Sequence, residues 1–233
     1  MTIAGLQKTT LIDYPGRVAC TVFTYGCNFR CPFCHNPELV TRKLLKKNTL
    51  SERDFFKFLK ERKKMLDGVV ITGGEPCLQE DLVSFCKKIK KEKFLVKVDT
   101  NGSFPEVLEA LLKEKIVDYI AMDIKSSFDR YKDLTGGFDS FKKILSSIEI
   151  LKSSKIDYEF RTTVVKDLHI EKDIHKIGRM LEGAKSFSLQ NFKSGKTISK
   201  SLKKTNEFSR GELENFEKIL KKYIENIEIK NLI

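Results

Sequence analysis

Seven short runs rich in Val, Ile, Phe and Tyr punctuate this chain, at 17–26, 67–74, 93–102, 117–125, 157–165 and 186–192 and in "NIEIKNL" near the end. Runs of that length and composition, most of them closed by Gly, Asp, Asn or Lys, read as strands. Amphipathic stretches separate them at 51–66, 78–92, 104–115, 138–153, 170–182 and 209–225. Ser51 can cap the first of these, with Asp54 three residues on. Where strand and helix alternate, the helix carries the chain back, so successive strands run parallel. Six such units are too few for a closed eight-fold barrel. The expected fold is therefore α/β, an open partial (β/α)6 TIM-like barrel with parallel strands.

With 40% hydrophobic and 33% charged residues, the 233-residue chain can bury a substantial core, and 1–233 is expected to be a single domain. Residues 193–208, "KSGKTISKSLKKTNEF", break the pattern and are expected to form a mobile loop or lid. Residues 209–233 are expected to supply a helix and strand that cap the sheet edge. The start of the chain has no apolar signal segment, and no apolar run approaches bilayer length, so a cytoplasmic protein with no membrane partner is expected. The net charge of +12 comes mostly from lysine, with nine arginines among 44 basic residues, spread along the helical stretches. That pattern does not suggest a nucleic-acid reader; it suits a solvated surface, or a face that steers toward an acidic macromolecule.

The segment "YGCNFRCPFCHN" sets Cys27, Cys31 and Cys34 at C-x3-C-x2-C spacing directly after a strand. Zinc is one candidate, but its fourth ligand would have to be His35, and adjacency to Cys34 strains simultaneous ligation. A [4Fe-4S] cluster is the other: it ordinarily takes four thiolates, so three leave one iron open to a small molecule. Cys20, Cys77 and Cys86 are scattered through apolar segments and read as small buried hydrophobes.

Further polar features fall at the ends of the following strands, the face where α/β barrels carry their sites. In "TGGEP" (72–76), Gly73 and Gly74 let backbone approach a ligand, although a tight turn alone would also want them. Asp99 and Thr100 in "VDTNG" and Asp123 in "MDIK" are oxygen donors able to hold a cation or a polar ligand, with a helix cap by Thr100 or Asn101 as the plainer alternative. An inward Arg161 needs a carboxylate partner, such as a ligand's. Gln190 is a weaker candidate, and His169 and His175 read as surface positions on a helical stretch.

"CNFRCPFC" resembles the signature of the radical S-adenosylmethionine superfamily, and the stretch from Gly5 through "CHNPEL" to "GGEP" is similar to activating proteins of glycyl-radical enzymes, those of anaerobic ribonucleoside-triphosphate reductase in particular. The resemblance implies a [4Fe-4S] cluster on the three cysteines, with S-adenosylmethionine chelating the open iron and cleaved to a 5′-deoxyadenosyl radical. It places Phe33 near the adenine and the backbone of His35 beside the nucleoside. It gives the amino group to the backbone of the GGE turn and Glu75, and makes Asp123 and Lys125 ligand contacts in a site that also takes a monovalent cation. It further implies two protein partners, a glycyl-radical enzyme as substrate and a flavodoxin- or ferredoxin-type electron donor. The alternative reading within the superfamily is an enzyme acting on a small molecule, such as a carboxy-deazaguanine synthase.

Overall fold

The computed structural model describes residues 1–40 and 49–231, which build one eight-stranded sheet whose strands follow chain order. β2 (Ala19–Thr24), β3 (Gly68–Gly73), β4 (Leu95–Thr100), β5 (Tyr119–Asp123), β6 (Asp157–Val164), β7 (Ser186–Asn191) and β8 (Asn226–Lys230) each pair in parallel with the next. β1 (Ile3–Thr10) lies antiparallel to β2. The sheet does not close, and β1 and β8 are its edges. The expected six parallel strands are β2 to β7, the run expected as a strand near the end is β8 at one edge, and β1 at the other edge is the one strand added. The last two residues of the expected C-terminal cap lie outside the described residues.

The link from β1 to β2 is the Tyr14–Arg17 turn. Arg17 N–H donates to the Tyr14 carbonyl at 3.2 Å, and Gly16 takes the left-handed φ of +66° that the third position of a type II turn demands. This tucks Tyr14 against Ala19, Val70 and Tyr119, an apolar plug.

The strands alternate with period two. Val96, Val98, Ile120, Met122, Phe160, Phe187 and Leu189 are buried in the continuous core shared with the helices. Their neighbours on the other face are polar: Lys97 and Asp99 on β4, Asp123 at the end of β5, Glu159 and Arg161 on β6, Ser188 and Gln190 on β7. The helices are α1 (Pro37–Val40), α2 (Glu52–Glu61), α3 (Leu82–Lys91), α4 (Pro105–Lys113), α5 (Phe128–Leu134), α6 (Phe141–Ser153), α7 (Glu171–Met180) and α8 (Arg210–Leu220). Ser51 caps α2, accepting the Asp54 N–H at 3.1 Å. α5 lies where the sequence pattern shows no helix, because its seven residues carry too short a pattern to register. Within 193–208 a 3₁₀ turn spans Lys200–Lys204 and buries Leu202, and Ser199 N–H donates to the Pro32 carbonyl at 2.9 Å. Among the described residues no helix is long and apolar enough to cross a membrane.

Candidate active site

The cysteine loop and the GGEP turn leave adjacent parallel strands, β2 and β3, and their backbones are stitched together. Gly74 N–H donates to the Thr24 carbonyl at 3.0 Å, and Glu75 N–H to the Gly26 carbonyl at 2.8 Å. A Cβ on Gly74 would sit 1.9 Å from that Gly26 oxygen, and one on Gly73 would sit 2.3 Å from Thr24 N. Both glycines are therefore there for close approach between two loops.

Between those loops and the ends of β4, β5 and β6 is a cavity of about 210 Å³. All three clustered cysteines line it, together with Phe33, His35, Gly73, Gly74, Glu75, Asp99, Thr100, Asp123 and Lys125. Nearly every residue expected at the site is thus brought to one cavity by successive strand ends.

Two expected members stand elsewhere. Arg161 does not line this cavity; its Nε donates to Asp123 at 2.8 Å and its guanidinium lies 3.3 Å from Asp99, so two protein carboxylates satisfy the charge that was expected to meet a ligand. Gln190 borders neighbouring cavities, where its Oε1 accepts from Thr163.

The charged groups form one alternating chain: Lys97 to Asp99 at 2.6 Å, Asp99 to Arg161, Arg161 to Asp123, and Asp123 to Lys125 at 3.0 Å. Burial opposes ionisation of Asp123, but Arg161 and Lys125 outweigh it and hold its carboxyl far below the ordinary range. Asp99 is depressed in the same way, burial being outweighed by Arg161 and then Lys97. Lys125 is half-buried, which opposes its charge, yet Asp123 and the Cys31 thiol lift its pKa and keep it charged. The carboxylates expected to take a monovalent cation therefore already have cationic partners in the protein.

Arg161→Met is expected to lower stability at neutral pH by about 2–3 kcal/mol, less than the cost of a fully orphaned buried charge because each aspartate keeps a lysine. Depressed carboxyls stabilise the fold above their unfolded pKa of about 3.9 and lose that contribution as pH falls through the folded value. The gap between variant and wild type in urea midpoints should accordingly narrow from pH 7 toward pH 3. A gap that stays constant with pH would assign the loss to packing.

Glu75 is 1% exposed, and its carboxylate takes three hydrogen bonds. It accepts from Thr100 Oγ1 and the Asn101 N–H, both at 2.7 Å, and from the Cys77 N–H at 3.0 Å. Burial raises its pKa, with those donors pulling the other way. The glutamate therefore ties the GGEP turn to the turn after β4 while lining the cavity beside the two glycines.

Three contributors were not legible as site residues. Asn101 Nδ2 donates to Asn28 in the cysteine loop at 2.9 Å and lies 3.8 Å from Cys27 Sγ. Thr163 lines the cavity from β6. His169, expected at the surface of a helix, precedes α7 and is 1% exposed. Its Nδ1 accepts the Val165 N–H at 3.1 Å, so Nε2 carries the proton and donates to the Lys125 carbonyl at 3.0 Å. Its ring meets Phe33 edge-on at 6.1 Å. Burial lowers its pKa, as a neutral ring in that position requires. Only a structure shows that a polar residue ahead of a helix is turned inward. His175 is partly exposed on α7, and Cys20, Cys77 and Cys86 are buried as expected.

The family model of the radical SAM superfamily matches residues 21–180, more than half of the chain. The chain belongs to the radical S-adenosylmethionine superfamily. This superfamily member is 35% identical to a Methanocaldococcus jannaschii protein named for glycyl-radical enzyme activation, over 99% of this chain and 96% of that one. It is 34% identical to the pyruvate formate-lyase-activating enzyme of Clostridium pasteurianum over 64% of each chain. Among solved structures, Streptococcus suis SuiB bound to S-adenosylmethionine superposes with a TM-score of 0.69 at 15% identity, covering 89% of this chain and 49% of SuiB, and so shares its fold.

The cofactors of this radical S-adenosylmethionine enzyme are a [4Fe-4S] cluster and S-adenosylmethionine, and the donor set fits them. Three thiols face one cavity, while among the described residues no three His, Cys, Asp or Glu side chains come together as a site for a single metal ion. A cluster needs that arrangement, because each thiolate ligates a different iron. Beside the thiols, glycine backbone and the Asp123–Lys125 pair offer partners for an amino acid's ammonium and carboxylate.

Proposed function

We propose that this protein activates a glycyl-radical enzyme by removing a hydrogen atom from a glycine Cα of that partner, with anaerobic ribonucleotide reductase as the partner to test first. The observation that carries the reading is the 35% identity to an activating enzyme along essentially the full length of both chains. When bound, the cluster and S-adenosylmethionine supply the radical chemistry, one electron at a time. The chain's own residues bind and orient. Cys27, Cys31 and Cys34 hold the iron, Gly73 and Gly74 present backbone to the amino-acid end, and Phe33 offers an apolar wall for the adenine. Asp123 and Lys125 meet the polar groups, Glu75 lines the cavity beside the glycines and holds the GGEP turn to the turn after β4, and His169 holds the Lys125 segment in place from outside the cavity. No side chain is required as acid or base.

The open sheet suits a protein substrate. Beside the cysteine cavity, the polar face of β4 and β6 to β8 borders a second cavity of about 610 Å³ that shares Asp99 with it. Residues 193–208 lie against the cysteine loop, with Lys196 Nζ 2.7 Å from Glu38, and would border a substrate loop as it enters. Six unpaired thiols suit a reducing, cytoplasmic setting.

The test is anaerobic. Reduced holoprotein, S-adenosylmethionine and the candidate partner are mixed, and a glycyl doublet is sought by electron paramagnetic resonance. A doublet is expected. Cleavage of S-adenosylmethionine with no doublet on any glycyl-radical partner would refute the activase reading and favour a small-molecule substrate.

A further inference from the structure

We propose that the groove bounded by α5, α6 and α7 is the docking surface for an acidic one-electron donor protein. The inference rests on the family's cluster and is independent of which enzyme receives the radical. The groove encloses about 810 Å³ and is floored by Phe128, Phe141, Leu145 and Met180. Phe128 is 67% exposed and Leu145 42%, although large apolar side chains at the surface are few in the described chain. An apolar patch of that kind, rimmed by charge, marks an interaction site.

The rim identifies the occupant. Lys142, Lys176 and Arg179 line it against a single acid, Asp139. Lys176 is paired with Asp129, whereas among the described residues neither Lys142 nor Arg179 has an ion-pair partner. Exposed cations around an apolar floor, on a chain of net charge +12, complement an acidic protein and speed its encounter.

This face is also joined to the cysteine loop. Phe128 packs on Phe141 with ring centroids 5.0 Å apart, Phe141 on Tyr131 at 4.9 Å, and Tyr131 on Phe29 at 6.2 Å. Phe29 sits between Cys27 and Cys31, lines the cysteine cavity, and donates its N–H to Cys27 Sγ at 3.3 Å. The backbone follows the same route: Arg30 N–H donates to the Thr135 carbonyl at 2.7 Å, at the end of α5. A file of packed rings thus runs from the groove to the loop that holds the iron. In the step it serves, the donor gives up one electron and the cluster gains it, with no bond made or broken.

The test uses holoprotein under anaerobic conditions, with a photoreduced acidic flavodoxin as probe and dithionite as the small-molecule control. Cluster reduction is followed by stopped-flow absorbance, and binding of the oxidised flavodoxin by calorimetry. At low salt, Lys142→Glu combined with Arg179→Glu is expected to weaken binding and slow flavodoxin-driven reduction by about tenfold or more, and added salt should erase the difference. Phe128→Ser, an exposed position, should slow the same reaction at every salt concentration. Dithionite reduction and bound iron should match wild type in both. Unchanged flavodoxin binding and reduction in both variants would overturn the proposal. So would intact flavodoxin reduction accompanied by a loss of dithionite-driven radical transfer to the partner, which would give the groove to the substrate enzyme instead.

Discussion

Serine in place of Cys27, Cys31 or Cys34, one at a time, is expected to yield a folded protein that retains almost no cluster after anaerobic reconstitution and cleaves no S-adenosylmethionine. The three side chains sit in a loop beyond β2, Cys31 at the margin of the core and Cys27 and Cys34 packed against it. Serine keeps nearly the same shape there, so the loss of apolar burial is small. On the proposed assignment the change removes an iron ligand, because iron–sulfur clusters are held by thiolates and a hydroxyl does not replace one. Burial pushes Cys27 up to about 12 and Cys31 up to about 11, so without iron these thiols stay protonated at neutral pH. Iron must supply the positive charge that drives off the proton, and a serine hydroxyl, far less acidic, cannot follow. Cys86→Ala provides the contrast: that thiol is fully buried on α3, and the variant should keep its iron and lose about 1 kcal/mol of stability. Iron analysis, visible absorbance and urea unfolding read all of this. Full iron content in Cys31→Ser would mean that the cluster is held differently.

The apolar runs and the amphipathic stretches between them were enough to read the parallel, open sheet, because β4, β6 and β7 each have one apolar face that helices cover while β2 and β3 are apolar on both. The three cysteines, the GGEP turn and the two aspartate turns were legible as site residues for a related reason: their positions immediately after strands put them all at one end of the sheet. Partners across that end were not legible. Arg161 could be seen to need a carboxylate, but nothing along the chain says that β4 and β5 each deliver one within reach of β6. Asn101 and His169 have roles defined by residues 73 and 44 positions away, and no local pattern encodes such a separation. The second task of Glu75 was hidden for the same reason: it lines the cavity as expected, but its three donors come from Cys77 and from the turn after β4.

That network explains why Gly74→Ala should disable the enzyme more thoroughly than it unfolds it. The new Cβ would lie 1.9 Å from the oxygen and 2.6 Å from the carbonyl carbon of Gly26, which are backbone atoms with no rotamer to yield. Gly26 is itself fixed: its N–H donates to the Leu39 carbonyl at 2.8 Å while its carbonyl takes the Glu75 N–H. Relieving the clash therefore requires the GGEP turn and the root of the cysteine loop to move apart. Such overpacking costs about 1–3 kcal/mol, which a domain of this size tolerates. The functional cost is larger, because the same displacement separates the clustered cysteines from the glycine backbone that faces the cavity and pulls Glu75 away from Thr100 and Asn101. Binding energy that depends on several groups held in register falls steeply with a shift of an ångström. The expected result is a variant with a cooperative, slightly earlier urea transition, a substantial share of its iron, and S-adenosylmethionine binding too weak to detect by calorimetry. Gly211→Ala on α8, where a Cβ meets nothing within 4 Å, should be neutral or slightly stabilising by every measure. Wild-type affinity in Gly74→Ala would show that the two loops do not act as one unit, and the assignment of the glycine backbone to the amino-acid end of the ligand would fall with it.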